Sequence, residues 1–440
     1  MTVGDPAHGI IKFAVPLILG YILQQMYLIV DAAIVGRWIG VDALAAVGAS
    51  ASVMFLVMGF CNGACAGFAI PIARAFGAKD FKKMRVYVAN SIRVSLVMIV
   101  VITFFACAFC DKILRIVNTP REIFDDAYTF LLLQFLAIPF TLTFNLFAGY
   151  IRALGNSRQP FLFLIISSFV NILLDVLLIL ILGMGLATLL SQLFASILSV
   201  WYVARHMTML IPHGDERAFD NKRVSILLNN GIPMGLQVSI TAIGIILLQS
   251  SNNALGTVYV ASFTAAVRIK YLFICVFDNI GVAMATYCGQ NIGAGRLDRV
   301  RQGEWAAMKI MMVYFVFTAL VIFPFAGNMM ELFVNGSSQA VADNAAMLMR
   351  ISCYFYPVLG LLAIFRYSIQ GLGYSNLSML SGVMEMIARS GVSLWLVPAF
   401  GFLGVCYGDP MAWVFADIFL VPGFLLLYRH LKKKHGVASL

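Results

Sequence analysis

Residues 10–37 read IIKFAVPLILGYILQQMYLIVDAAIVGR. From Ile10 to Val30 the stretch is apolar but for Lys12, Gln24 and Gln25. A run of that length crosses a hydrocarbon core as a helix. Asp31 stands near its end. A carboxylate at membrane depth is costly and is a functional candidate by default. The stretch therefore poses two questions: how many such runs the chain holds, and what accompanies the acid.

Twelve runs of this kind lie at roughly 10–37, 43–73, 86–110, 124–151, 159–183, 186–206, 224–251, 257–288, 305–327, 341–371, 376–399 and 405–428. Of the 440 residues, 61% are hydrophobic and 11% charged, whereas a soluble domain carries about 25% charged residues. The ten-residue alternation of a β-barrel is absent. The first run is too long for a cleavable signal and is followed by more of its kind. The expected fold is an all-α polytopic membrane protein with twelve transmembrane helices in two parallel six-helix lobes.

The net charge is +10, but its placement argues against nucleic-acid binding. Basic residues gather in alternate loops, at Arg74–Arg85, Arg152–Arg158, Arg205–Arg223, Arg296–Arg301 and Arg429–Lys434. The positive-inside rule then puts both termini in the cytoplasm of a cell-membrane protein. The eight cysteines sit in or beside apolar runs and read as small hydrophobes. Cys107 and Cys110 have redox or zinc spacing, yet no second pair or nearby histidine completes a site.

The chain repeats itself. Phe13–Pro16 matches Asn230–Pro233, Phe76–Lys79 matches Ile292–Gly295, and Ala153–Ser157 matches Gly371–Ser375, at offsets of 217, 216 and 218 residues. A nearly constant offset close to half the length marks an internal duplication. Six helices per half give both halves the same orientation, the parallel-repeat plan of transporters. The expected division is an N-terminal lobe at 1–206, a polar interlobe linker at 207–223 and a C-terminal lobe at 224–440. The offset rises to 225 between Ala187–Thr188 and Ala412–Trp413. The turn between the fifth and sixth runs is thus about seven residues shorter than its counterpart, leaving only Gly183, Met184 and Gly185.

Several ionisable or polar residues fall inside the runs. Glu385 and Arg389 are four apart and share a helix face, where they can neutralise each other. Asp278, Asp417, Arg268 and Arg366 add to the intramembrane set. Asn171 and Asp175 are also four apart on one face. At 1.5 Å per residue, Asp31 lies about 30 Å and Asp175 roughly 20 Å from the inner surface. Thr188 starts the sixth run from the outer side. Asp31, Asn171, Asp175 and Thr188 form an all-oxygen set suited to a hard cation, and its carboxylates could equally take protons. The duplication does not copy them: they face Leu248, Arg389, Ser393 and Trp413. A helix-packing role alone would be expected in both halves.

Glycines at Gly289-Gln-Asn-Ile-Gly293-Ala-Gly295 mimic a phosphate loop, but they follow a membrane run and read as a helix end and turn. No nucleotide-binding motif and no Ser/His/Asp or metallohydrolase pattern is visible. The chain is expected not to be an enzyme.

Four segments carry a resemblance over essentially the full length: GDPAHGIIKFAVPLILGYILQQMYLIVDAAIVGRWIG at 4–40, RALGNSRQP at 152–160, GQNIGAG at 289–295 and QGLGYS at 370–375. Together they resemble the multidrug and toxic compound extrusion (MATE) transporters. The resemblance implies a twelve-helix, two-lobed antiporter that exports drugs, often organic cations, in exchange for inward Na+ or H+. In the DinF-like branch it places the cation or proton site at Asp31, Asn171, Asp175 and Thr188. Gln24, Asn145 and Gln237 are the candidate cavity residues. One departure is GMGLAT at 183–188, where the family carries a longer segment; it leaves open how Thr188 sits against Asp175. The implied partners are a small-molecule substrate and the lipid bilayer, with no cofactor beyond Na+ or H+ as coupling ion, and a monomer is expected. A lipid or lipid-linked oligosaccharide flippase and a non-transporting sensor stand as alternatives, the first favoured by the arginines Arg268, Arg366 and Arg389.

Overall fold

In a computed structural model of the chain, the apolar runs are helices, with no strand among the described residues. The structure describes residues 1–38, 41–116, 119–182, 186–334 and 339–434; within these, the side chains of 31–38, 41–49, 51–52, 178–182 and 332–334 lie outside the description. The main helices are α1 Pro6–Trp38, α2 Val41–Gly77, α3 Phe81–Ala108, α4 Phe124–Ala153, α5 Arg158–Leu182, α6 Leu186–His206, α7 Asn221–Asn253, α8 Thr257–Gly293 and α9 Leu297–Val334. They continue as α10 Gln339–Tyr354, α11 Tyr356–Gly371, α12 Ser375–Phe400 and α13 Gly408–Lys434. Among the described residues eleven helices are long and apolar enough to cross a membrane, and the pair α10–α11, bent by 53°, makes a twelfth span.

The duplication is visible in the backbone. Lys79 and Gly295, equivalent in the two halves, both have positive φ, 58° and 73°. Gly155 and Gly373 are likewise equivalent, at 91° and 84°. At all four places the next amide reaches back to a carbonyl five residues earlier: Asp80 to Ala75, Arg296 to Asn291, Asn156 to Ile151 and Tyr374 to Ile369. These are Schellman caps, which satisfy carbonyls that a helix end leaves without donors.

By compactness the chain divides into residues 15–235 and residues 1–14 with 236–440. These boundaries differ from a cut at 207–223. Helices α1 and α7 each change unit beside a proline, Pro16 and Pro233. The segment 207–223 is fastened to α3 within the first unit. Arg85 donates to both carboxylate oxygens of Glu216, at 2.6 and 2.7 Å. Asn90 accepts from the Asp220 amide at 3.1 Å.

Within residues 15–235, α2 packs on α4, α4 on α6 and α5 on α6. Helix α7 begins in this unit by lying backbone to backbone on α2. A Cβ added at Gly63 would stand 2.6 Å from the Met234 carbonyl oxygen, and one at Gly67 2.6 Å from that of Asn230. From the other side, Cβ atoms at Gly231 and Gly235 would strike Phe68 and Phe60. Paired Gly-xxx-Gly stretches allow this approach, which favours close helix packing in lipid. In the other unit, α8 packs on α11, α9 on α10 and α12 on α13.

Candidate functional site

The α5–α6 contact is built from complementary stripes. On α5, Phe163, Ser167, Asn171 and Asp175 recur every fourth residue, and all are buried. On α6, Ala187, Ser191, Ala195 and Ser199 recur with the same spacing and are buried too. Four-residue spacing puts each set on one helix face. The small α6 side chains let the polar α5 face come close without leaving a void.

Asn171 is the hub of this contact. With its NH2 directed at the carboxylate, it donates to Asp175 Oδ2 at 2.9 Å. Its oxygen then lies 3.3 Å from the Thr188 amide nitrogen and 3.2 Å from Ser191 Oγ. Ser191 Oγ in turn donates to the Thr188 carbonyl at 2.9 Å. The shortened turn therefore does not part Thr188 from Asp175: both meet at Asn171. The contribution of Thr188 to these contacts is its backbone, rather than the hydroxyl considered from sequence. Ser191 was not singled out in the sequence. Its signal was the small-residue stripe, readable as spacing alone.

Asp31 falls on helical backbone of α1, and its side chain lies outside the described residues. Gln24, two turns earlier, is exposed. Asn145 on α4 donates to Asn62 Oδ1 on α2 at 2.8 Å and to the Thr141 carbonyl at 2.9 Å. Gln237 is buried, and its Oε1 accepts from Gln370 at 2.9 Å and Ser378 at 2.6 Å. It thus ties α7 to α11 and α12. Among the described residues no three His, Cys, Asp or Glu side chains cluster as a metal site.

A second polar assembly lies within residues 236–440. Glu385 pairs with Arg389 at 3.1 Å, one turn away, as the sequence spacing indicates. The structure extends the pair: Arg366 also binds Glu385, and Arg389 also binds Asp409 at 2.9 Å. Lys270 completes the chain of charges on Asp409. All five side chains sit on four helices, α8, α11, α12 and α13. Asp417 has a buried carboxylate with no hydrogen-bond partner among the described residues. Both Asp417 and Asp278 act electrostatically on Arg366. Sequence reading missed Lys270 and Asp409, although each is a charge within or at the edge of an apolar run.

Comparison with known proteins agrees with this architecture. The MatE family model matches twice, at residues 16–177 and 233–394, which repeats the 217-residue offset and covers more than half of the chain. The "Probable multidrug resistance protein YpnP" of Bacillus subtilis is 28% identical over 403 residues, 90% of this chain and 87% of that protein. "Multidrug export protein MepA" of Staphylococcus aureus is 20% identical over 404 residues, 91% and 89% of the two chains. Among solved structures, a MATE crystal structure in the bent conformation superposes with a TM-score of 0.90 at 22% identity, covering 99% of this chain and 98% of the other. An outward-facing MATE family multidrug resistance transporter does so with a TM-score of 0.90 at 23% identity, covering 98% and 97%. The doubled match over both halves, together with the shared fold, makes the chain a member of the MatE family.

Proposed function

We propose that the chain is a secondary antiporter, exporting drugs or other organic, often cationic, compounds in exchange for inward Na+ or H+. Asp31, Asn171, Asp175 and Thr188 are its ion-responsive set. The observation that carries this reading is the buried Asp175 carboxylate, joined through Asn171 to the first turn of α6. Neutralising Asp175, by a proton or a captured cation, weakens its charge-assisted bond with Asn171. Asn171 then holds Thr188 and Ser191 differently, and the α5–α6 packing shifts between two states. A ligand that binds these states unequally is coupled to the ion. The names of the Bacillus and Staphylococcus relatives support drugs as the cargo. The charge pattern supports a cell-membrane protein with cytoplasmic termini; a monomer is part of the same proposal. The flippase alternative drew on Arg268, Arg366 and Arg389; two of these, Arg366 and Arg389, are paired with Glu385 and Asp409, which weakens it.

The test is dye efflux from proteoliposomes with sodium and pH gradients imposed separately. One gradient should drive efflux, and Asp31→Asn or Asp175→Asn should abolish it while the protein stays monodisperse. Undiminished efflux in both variants would overturn the assignment.

A further inference from the structure

A groove on the surface of the second unit lies between α9 and α11. Trp305, Met308, Lys309 and Met312 of α9 face Pro357 and Gly360 of α11 around about 340 Å³ of space with an almost wholly apolar lining. Gly360 lines this space, and a Cβ there would stand 3.3 Å from Met311 Sδ, so the two helices already touch at its floor. Trp305 and Met312 are exposed, at 56% and 52%. Apolar surface of this kind on a membrane-spanning helix is met by hydrocarbon.

Depth along α9 orders the polar groups. The helix has 38 residues, about 57 Å at 1.5 Å per residue, and so outruns a ~30 Å hydrocarbon core; Asp298, Arg299 and Arg301 mark its N-terminal turns as an end that emerges. Trp305 comes eight residues after Leu297, about 12 Å in, where an aromatic belt meets the headgroups. Arg301, Trp305 and Lys309 follow at four-residue spacing on one exposed face. Lys309, one turn deeper, can run its stem along the groove and return its ammonium toward the headgroups. An organic cation would meet like charge at this rim. A lipid phosphate would meet opposite charge, with its acyl chain in the methionine-lined trench.

We propose that this groove is a binding site for one anionic phospholipid, drawn from the leaflet at the end of the molecule that carries Arg296, Arg299 and Arg301. Lys309 and Arg301 hold the phosphate, and the trench beside Gly360 holds an acyl chain. The site is separate from the ion-responsive set and requires no particular coupling ion.

The experiment places full-length protein in phosphatidylcholine nanodiscs with graded amounts of brominated-chain phosphatidylglycerol or brominated-chain phosphatidylcholine. Trp305 fluorescence is taken as the difference between each protein and its Trp305→Phe counterpart. Brominated phosphatidylglycerol should quench Trp305 at a several-fold lower mole fraction than brominated phosphatidylcholine, and the effect should saturate. Lys309→Gln should erase the headgroup preference. Met312→Phe, which narrows the trench from its exposed wall, should remove the saturable component; Leu361→Phe is the second filling variant should the first fail to fold. Equal quenching by the two lipids, or saturation unchanged by a filled trench, means bulk annular lipid only and overturns the proposal.

Discussion

On consecutive turns of α5, the Asn171 amide donates to Asp175 Oδ2 across 2.9 Å. The other end of the same amide faces the start of α6. The charge of one residue and the packing of two helices are therefore linked through a single planar group.

That link predicts non-additive variants. Asp175→Asn should abolish gradient-driven efflux. Asn171→Ala should reduce it at least about tenfold, or ~1.4 kcal/mol of coupling. The double variant should be no worse than Asp175→Asn, since residues that act as a unit do not lose their effects independently. Initial efflux rates in proteoliposomes read this out. Measurable efflux in Asp175→Asn, cut further by Asn171→Ala, would mean separate roles.

The α2–α7 approach predicts a contrast between glycines. Gly67→Ala drives a methyl group to within 2.6 Å of the Asn230 carbonyl, and overpacking of this kind costs about 1–3 kcal/mol. Gly149→Ala meets nothing closer than Ala69 Cβ at 3.5 Å. It should be neutral, or stabilising by up to about 1 kcal/mol through helix propensity. Thermal unfolding in detergent should separate the two; equal midpoints would argue against a backbone contact.

The Lys270–Asp409–Arg389–Glu385–Arg366 chain predicts that single truncations hurt most. Glu385→Gln leaves Arg366 and Arg389 short of a counter-charge and should cost about 3–5 kcal/mol. Adding Arg366→Met should restore part of that loss. A double variant less stable than Glu385→Gln in denaturant titrations would show that the pairs contribute independently.

The fastening of 207–223 should depend on pH. The Glu216 carboxyl is held down to about 2, first by its hydrogen bond from Arg85 and then by the His213 amide. A depressed carboxyl stabilises the folded arrangement above its ordinary value of 4.5, and the contribution is lost as pH falls toward about 2. Hydrogen exchange of the 213–218 amides, corrected for the intrinsic effect of pH, should rise over that window. Arg85→Ala should raise it already at pH 7. Exchange that is flat in both tests would show that Glu216 does not hold the segment.

Much of the fold was legible from the sequence because membrane helices must satisfy their backbone internally. Each run announces itself by length, and Pro16/Pro233 and Gly155/Gly373 betray the duplication. The Asn171–Asp175 pair was legible because four-residue spacing fixes a shared face. Contacts between helices distant in sequence were not. Nothing local says that Arg389 meets Asp409, twenty residues on, as well as Glu385. Nor does Gln237 disclose that Gln370 and Ser378 absorb its amide oxygen. The unit boundaries at 14/15 and 235/236 escaped for a similar reason: they fall within helices, where no polar loop marks them.

The four Schellman caps carry a historical consequence. Equivalent turns kept one backbone shape after the halves diverged, even where lysine at 79 stands opposite glycine at 295. The polar sets did the reverse: Asn171 and Asp175 belong to one half, whereas Glu385, Arg389 and Asp409 belong to the other. The two copies thus share their turns and differ in their chemistry. Chimeras that graft one half's turns onto the other should keep the fold, while exchange of the polar stripes would carry function with it.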